Sequence, residues 1–396
     1  MNYPQEVAQN VSRNFQTMHN IYINNIQTFM PNAPVSNDEM EEYLGYIGGK
    51  KSKAKNIVLR SNGIKQRYYV LEKGTEKPLF SNAEITANAI KKLENSTFKL
   101  ENIECLSCGT TTPDQLMPNH TLMVQGELGI SEIETLSASG ICLSGVNALK
   151  YLYYGIKSGE LSNGVATGSE VVSVILSAKN FEEESKQWEL LEKNPSLAFE
   201  KDFLRWMLSD GAGAMLLQDK PNSDTLSLKI EWIDVLSYAG EMPTCMYSGC
   251  EMVDGKPIGW RGYSQHKIME KSLLSIAQDV KLLNDNIVEY TVVKPLRKIL
   301  AKRCITPEAV DYFLPHYSSE FFKDKLYAGL VEVGFEIPYE KWFTNLTKCG
   351  NTGSASIYIM LEELFHSGKL RKGEKILCYI PESGRFSTAF MLLEVV

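Results

Sequence analysis

The sequence predicts an α/β protein built from a duplicated unit, and three observations carry that expectation. Its 396 residues exceed the usual size of one domain, and a hydrophobic content of 43% supplies enough apolar surface for a large core. Apolar runs of strand length alternate with turn residues and stretches of helical periodicity. Two loops of small residues, SASGICLSG and KCGNTGSAS, each run into a strongly apolar helix, and their glycines Gly140 and Gly350 stand 210 positions apart. Two central helices meeting at their N-termini fit that spacing. The competing explanation is the plain succession of strand, turn and helix that every α/β protein repeats.

The elements follow in order. Residues 1–20 are polar and amphipathic and read as an N-terminal helical extension, after which IYINNIQTFMPNAP gives a strand ending in a proline turn. This strand opens a first half spanning 21–222. The basic run GKKSKAK is followed by NIVLRSNGIKQRYYV, where Asn62-Gly63 marks a turn between an apolar run and a tyrosine-bearing strand. A helix is expected from Ser81, its N-cap, to Leu93, and IECLSCGTTTPDQLMPN then supplies a strand and a loop. VNALKYLYYGI is apolar nearly all round and predicts a buried helix. GVATGSEVVSVIL follows as a strand with its turn residues, and the charged stretch that comes next predicts an inserted surface cap at 180–206. The pattern resumes with WMLSDGAGAMLLQ, and Pro221 to Ser227 forms the joint to a second half, 223–396. That half begins with LKIEWIDVLSYAG and carries the helix IYIMLEELFHSG and the strand EKILCYIPESG.

Charge and composition exclude several classes. With 41 basic against 48 acidic residues the net charge is -7, so nucleic acid is not the expected partner. No run of 18 apolar residues exists to span a membrane, and MNYPQEVAQNVSRNF lacks the apolar core of a signal peptide, so the expected location is cytoplasmic. Eight scattered cysteines without a secretory signal read as reduced thiols.

Three polar residues stand where packing alone favours apolar ones. Cys142 precedes a buried helix, whose N-terminal N–H groups are expected to favour its thiolate, and it is the best nucleophile candidate. His316 follows the strand VDYFL and Pro315 at a strand end, where α/β sheets place their ligands. Asn351 lies in the CGNTGS turn ahead of the second central helix. Singly, a buried cysteine is usually a small hydrophobe and a buried histidine a satisfied core group; the doubled topology makes convergence of the three the better reading. Competing motifs are weaker. Cys105 and Cys108 form one CxxC with no second pair at zinc spacing, so no metal is expected. SDGAGAMLLQ lacks the third glycine and the helix of a dinucleotide loop, so no cofactor is expected either.

The order SASGICLSG, WMLSDGAGAMLL, LPHYSS, CGNTGSAS and ESGRFSTAFMLLEV resembles the thiolase superfamily, in its β-ketoacyl synthase III branch, from Ile21 onward. The resemblance implies a five-layered αβαβα thiolase fold, an obligate homodimer and a catalytic triad of Cys142, His316 and Asn351. It also implies an oxyanion hole from the backbone N–H groups of Cys142 and Ser383. The stretches MPNAPVSNDEMEEYLG and KAKNIVLRSNGIKQRYY are most similar to ketosynthases of dialkylresorcinol and flexirubin-type pigment pathways. Two departures stand out. Where the branch carries an HQAN-type motif this chain reads His316-Tyr317-Ser318-Ser319, so Ser319 holds the position that contacts the pantetheine arm. The glycine-rich terminal loop is reduced to Glu382-Ser383-Gly384.

What the resemblance implies is a ketosynthase that joins two acyl or β-ketoacyl thioesters by Claisen-type condensation, with ring closure toward a cyclohexanedione. The alternatives are a chain-initiating β-ketoacyl-ACP synthase III and an acyltransferase of the same fold. Substrates ride on acyl carrier protein or coenzyme A, and a separate oxidoreductase aromatises the ring. An acidic carrier makes Lys50, Lys51, Lys53, Lys55, Arg60, Lys65 and Arg67 docking or pantetheine candidates, with Arg60 the best match by resemblance. Met117 falls on the loop that reaches the partner's acyl pocket in that family.

Overall fold

The computed structural model describes residues 19–52, 54–188 and 203–396. Nine strands form one ladder: β1 (Tyr22–Phe29), β2 (Cys105–Thr110), β3 (Glu134–Ser139), β4 (Asn163–Glu170), β5 (Gly211–Gln218), β6 (Leu228–Ser237), β7 (Tyr312–Pro315), β8 (Lys375–Glu382) and β9 (Ser387–Val395). Their order is β7-β8-β9-β6-β1-β5-β4-β2-β3. The pairing repeats on either side of the β1–β6 joint. Parallel β2–β4, antiparallel β4–β5 and antiparallel β5–β1 match parallel β7–β8, antiparallel β8–β9 and antiparallel β9–β6. At the joint, Tyr22 pairs with Lys229 and Ile23 with Leu228. The Asn24 side chain pins the connection, donating to Gln218 and to the Lys220 carbonyl and accepting from Ser227.

The duplication is unequal. In the first half β3 runs parallel to β2 over six residues, whereas its counterpart beside β7 is reduced to a single bridge between Phe313 and Trp342.

Period-two alternation sorts the strand side chains into layers. On β5, Ala212, Ala214 and Leu216 pack outward against α2 (Asn82–Lys91), while Met215 and Leu217 face the centre. On β9, Phe390 and Leu392 face the outer helices α5 (Val280–Val288), α6 (Lys294–Lys302) and α7 (Lys323–Glu332), while Ala389, Met391 and Leu393 face inward. Between the two halves of this nine-stranded sheet lie α4 (Leu143–Lys157) and α8 (Ser356–Phe365). Outer helices, half-sheet, central helices, half-sheet and outer helices make the five layers of the thiolase fold. The central helices touch at their N-terminal ends, where the Tyr358 hydroxyl donates to the Gly145 carbonyl at 2.8 Å. A Cβ on Gly145 would stand 2.5 Å from the Ser354 carbonyl oxygen, so only glycine permits this approach.

Several expectations are corrected. The apolar run before Asn62-Gly63 is a helix, α1 (Lys55–Asn62), because its buried residues Val58 and Asn62 are four apart and share one helical face. The tyrosine-bearing strand shrinks to Gln66–Arg67, paired with Val35–Ser36. Of the stretch read as a surface cap, residues 189–202 lie outside the described residues, as do 1–18 of the N-terminal extension. The end of that stretch is core: Leu204, Arg205 and Trp206 are buried, and the Arg205 guanidinium donates to the carbonyls of Leu176, Leu44 and Gly45. No described helix is long and apolar enough to cross a membrane.

Candidate active site

Side chains from the C-terminal ends of parallel strands β3, β4, β7 and β8 converge on one cavity, the position at which such sheets expose loops and helix starts. The cavity and the open solvent at its mouth together make up about 870 Å³ of space, and Cys142, His316 and Asn351 all line it. The rest of its wall is largely apolar, with Leu204, Met207 and Leu208 from one side and Leu283, Ile287 and Leu326 from the other.

Each of the three is held by backbone. Cys142 is the N-cap residue of α4. The His316 N–H donates to the Tyr379 carbonyl at 2.8 Å, extending the β7–β8 ladder by one residue and fixing where the imidazole leaves the sheet. Asn351 is clamped from both sides: its N–H donates to the Met207 carbonyl and its carbonyl accepts from Ser209 N–H. Its Oδ1 accepts from the Gly353 N–H at 3.0 Å, which orients the amide. No described residue accepts from its Nδ2, so those donors are free for a ligand.

The electrostatics depart from expectation in one respect. The thiolate expected at Cys142 is opposed: burial pushes the thiol well above its usual range, and the carboxyls of Glu382 and Glu170 add to the shift. The reason lies in what occupies the helix N-terminus. Glu382 Oε2 accepts from the N–H groups of both Ile141 and Leu143, each at 3.1 Å, so an anion is already seated where the thiolate was to be stabilised. Burial lowers His316 to about 4, so its imidazole is neutral near pH 7. The resting pair is thus a neutral thiol and a neutral base.

Glu170 and Glu382 are the residues that sequence reasoning missed. Glu170 lines the cavity and is held by Thr111 N–H and Oγ1, Thr112 Oγ1 and Ser354 N–H, tying β2, β4 and the start of α8 together. Burial raises its carboxyl, against the pull of those donors. A charged residue closing the apolar run GVATGSE was the available signal.

The other candidates are dispersed. Ser383 lines the cavity; its Oγ accepts from Gln278 Nε2 at 2.9 Å, and that pairing fixes the loop that bears its N–H. Ser319 is buried and caps a short helix, accepting from Phe321 N–H, while its neighbour Ser318 lines the cavity. Arg60 is exposed in the last turn of α1. Met117 is 83% exposed, on the loop between β2 and α3 (His120–Leu128). Arg67, expected among the docking residues, is a core residue whose guanidinium donates to Asn37 Oδ1 and the Trp206 carbonyl. Lys55 pairs with Glu41 at 3.0 Å, and Lys53 lies outside the described residues. Cys105 and Cys108 sit three apart on β2 and therefore point into different cores. Among the described residues no group of three or more metal-ligating side chains gathers.

Residues 300–385 match the family model described as 3-oxoacyl-[acyl-carrier-protein (ACP)] synthase III C terminal. The β-ketoacyl-[acyl-carrier-protein] synthase III of Clostridium perfringens is 25% identical over 350 residues, covering 88% of this chain and 91% of that protein. The enzyme of the same name from Koribacter versatilis is 24% identical over 369 residues, covering 92% and 95%. Among solved structures, AbyA1, a tetronic acid condensing enzyme, superposes with a TM-score of 0.73 at 17% identity, covering 94% of this chain and 99% of its own. Xanthomonas campestris OleA, solved as a cysteine-to-serine variant with bound lauric acid and lauroyl-CoA, gives 0.69 at 18% identity over 95% and 99%. These structural likenesses show the shared fold.

Proposed function

We propose that this chain, a condensing enzyme of the β-ketoacyl-ACP synthase III type within the thiolase superfamily, joins two acyl or β-ketoacyl thioesters through an acyl-cysteine and closes the product toward a cyclohexanedione precursor of dialkylresorcinols. The observation that carries this reading is the meeting of Cys142, His316 and Asn351 in one apolar cavity.

In the first step the Cys142 thiol gives its proton to the His316 imidazole and its sulfur attacks the thioester carbonyl carbon. The N–H groups of Cys142 and Ser383 hold the oxyanion. Of three consecutive N–H groups at the start of α4, those of Ile141 and Leu143 are taken by Glu382, which leaves the one on Cys142 for this task. The carbon–sulfur bond to the carrier then breaks, and the departing thiolate takes the proton from His316. In the second step a malonyl unit loses its carbon dioxide, or a β-ketoacyl thioester passes its α proton to the His316 imidazole, which hands it on to the Cys142 thiolate released at the end, and the enolate oxygen accepts from His316 and from Asn351 Nδ2. The enolate carbon attacks the acyl-cysteine; a carbon–carbon bond forms and Cys142 leaves as thiolate. A neutral imidazole and an amide suit this role, since neither brings negative charge to the developing enolate.

Acyl carrier protein or coenzyme A thioesters are the donors this reading requires, and the names of the curated relatives support it. Removing two hydrogens to reach a resorcinol is assigned to a separate oxidoreductase. The protein acts as a homodimer in the cytoplasm.

A chain-initiating synthase is the second reading, favoured by those same names. One experiment separates them. Purified protein is given two medium-chain acyl thioesters, one of them β-keto, and the products are read by mass and ultraviolet absorption, with peptide mass mapping of the protein. The expected result is an acyl adduct on Cys142 and a cyclic dione or its carboxylate. Efficient turnover of acetyl and malonyl thioesters with the long β-keto substrate ignored gives the second reading; an adduct on another cysteine overturns both.

A further inference from the structure

The side chain of Glu382 sits against the nucleophile loop, yet the reaction above gives it no chemical step. Both of its recorded hydrogen bonds fall on one oxygen: Oε2 accepts from Ile141 N–H and from Leu143 N–H, at 3.1 Å each. These two groups flank Cys142 in sequence, so one carboxylate oxygen spans the residue that carries the thiol. A Cβ built on Gly140 would stand 3.7 Å from Glu382 Oε2, an ordinary contact, so the approach of the carboxylate does not depend on a glycine there. No described residue donates to Oε1 or accepts from either oxygen. Two N–H donors on Oε2 favour the ionised form, against the burial that raises this carboxyl. Pro381 and Ser383 line the cavity while Glu382 does not, which puts the carboxylate behind Cys142, away from the substrate.

We propose that Glu382 is a positioning residue that holds the loop 141–143 and keeps Cys142 protonated until an acyl thioester is bound, so that thiolate forms only as its proton passes to His316. The proposal rests on the reading of Cys142 as nucleophile. A free thiolate at the helix N-terminus is open to alkylation and oxidation at all times, whereas a thiol held neutral reacts only when a base and an electrophile are in place together. The charged and titratable groups facing Cys142 are Glu382 from β8, Glu170 from β4 and His316 from β7. His316 is neutral above its lowered value of about 4, and Glu170 is engaged by four donors. Glu382 is thus the group whose charge bears on Cys142 through the shared loop, and burial raises its own carboxyl against the two N–H bonds that lower it.

Because both N–H groups bond to a single oxygen, Glu382→Gln keeps that acceptor and removes only the charge, whereas Glu382→Ala removes both. The test measures alkylation of Cys142 by iodoacetamide as a function of pH on the full chain, with peptide mapping to read Cys142 alone; carbon–sulfur bond formation expels iodide and reports thiolate directly. Loss of a neighbouring like charge moves a titration by roughly one to three pH units. The Glu382→Gln midpoint is therefore expected to fall by at least about one unit, with Glu170→Gln as the comparison for a charge not seated on the loop. In Glu382→Ala the midpoint falls as well, and self-acylation at saturating thioester slows because the loop is released; Gln restores that rate and Ala does not. An unchanged midpoint in Glu382→Gln overturns the charge role. Equal acylation rates in Gln and Ala overturn the positioning role. Failure of the unaltered protein to acylate Cys142 at all is a different result, and it removes the nucleophile reading instead.

Discussion

His316 shows how much a single residue's surroundings decide. Its place after a proline at a strand end was legible in the sequence, because a polar residue closing VDYFL has nowhere to point except beyond the sheet edge. Its protonation was not legible, since that depends on what the rest of the fold packs around it. The same holds for Cys142: the helix N-terminus was correctly placed, but the carboxylate that occupies it comes from the far end of the chain, in β8. With burial lowering the imidazole to about 4, the donor form that serves the enolate is the neutral one, present above that pH. The acid limb of the condensation rate is accordingly expected nearer pH 4 than the roughly 6.5 of an ordinary histidine. Asn351→Ala is expected to slow condensation by roughly 10²–10³-fold, the usual loss for one donor to a developing oxyanion, while self-acylation of Cys142 survives; His316→Ala is expected to slow condensation at least as much and self-acylation as well, because the same imidazole takes the Cys142 proton. Steady-state product formation and intact-protein mass, measured side by side, separate the two steps; near-normal condensation in either variant defeats the assignment.

At the scale of elements, the pieces that read well are those whose local signal and tertiary role agree. The serine-capped helix α2 has its full capping box, Ser81 with Glu84, and the two apolar central helices lie where their composition put them. Those that misread are short and depend on distant partners. Helix α1 carries a β-like apolar run, but Asn62 is tied to the Trp206 carbonyl, a contact no local pattern announces. The fifth strand of the second half survives only as the Trp342 bridge. The crossing of α4 and α8 is the element contact that sets the site, because both Cys142 and Asn351 sit just ahead of these helices. A methyl group at Gly145 meets the Ser354 carbonyl oxygen at 2.5 Å, and backbone cannot give way as a flexible side chain does. Gly145→Ala is expected to cost roughly 1–3 kcal/mol in denaturant unfolding. Gly126→Ala, in α3 with nothing within 4 Å of the new methyl, is the matched control and is expected to gain about 0.5–1 kcal/mol. Equal effects at the two positions make the close approach irrelevant to stability.

For the whole molecule, the duplicated plan leaves the two ends of the ladder different. The β7 end is covered by the Trp342 bridge, whereas the β3 end carries a six-residue strand with no described partner on its outer side. An open edge of that length is a template for another strand, and beyond Glu134 at its start β3 carries neither charge nor proline to block it. Beside it the loop before α3 exposes Leu116 at 66% and Met117 at 83%, with Leu122 following at 45%, an apolar group out of place on a free surface. If the proposed homodimer forms through this edge, β3 faces the partner's β3 and Met117 stands toward the partner's cavity. The hydrogen-bond direction tells which residue to change. Glu134 donates its N–H to Glu104 on the β2 side, so in a parallel pair Leu136 and Ala138 turn the same way, and Thr135 and Ser137 present their N–H groups to the open edge. Ser137→Pro deletes one of those outward donors without touching the β2 ladder, and Ser137→Ala keeps it. Light scattering is expected to give a dimer for the unaltered chain and for Ser137→Ala, and a monomer or a concentration-dependent mixture for Ser137→Pro. If the Pro variant stays dimeric at low micromolar concentration, the contact lies elsewhere on the surface. If it becomes monomeric and keeps full activity on long acyl thioesters, the partner's Met117 has no part in the cavity, and one chain holds the complete site.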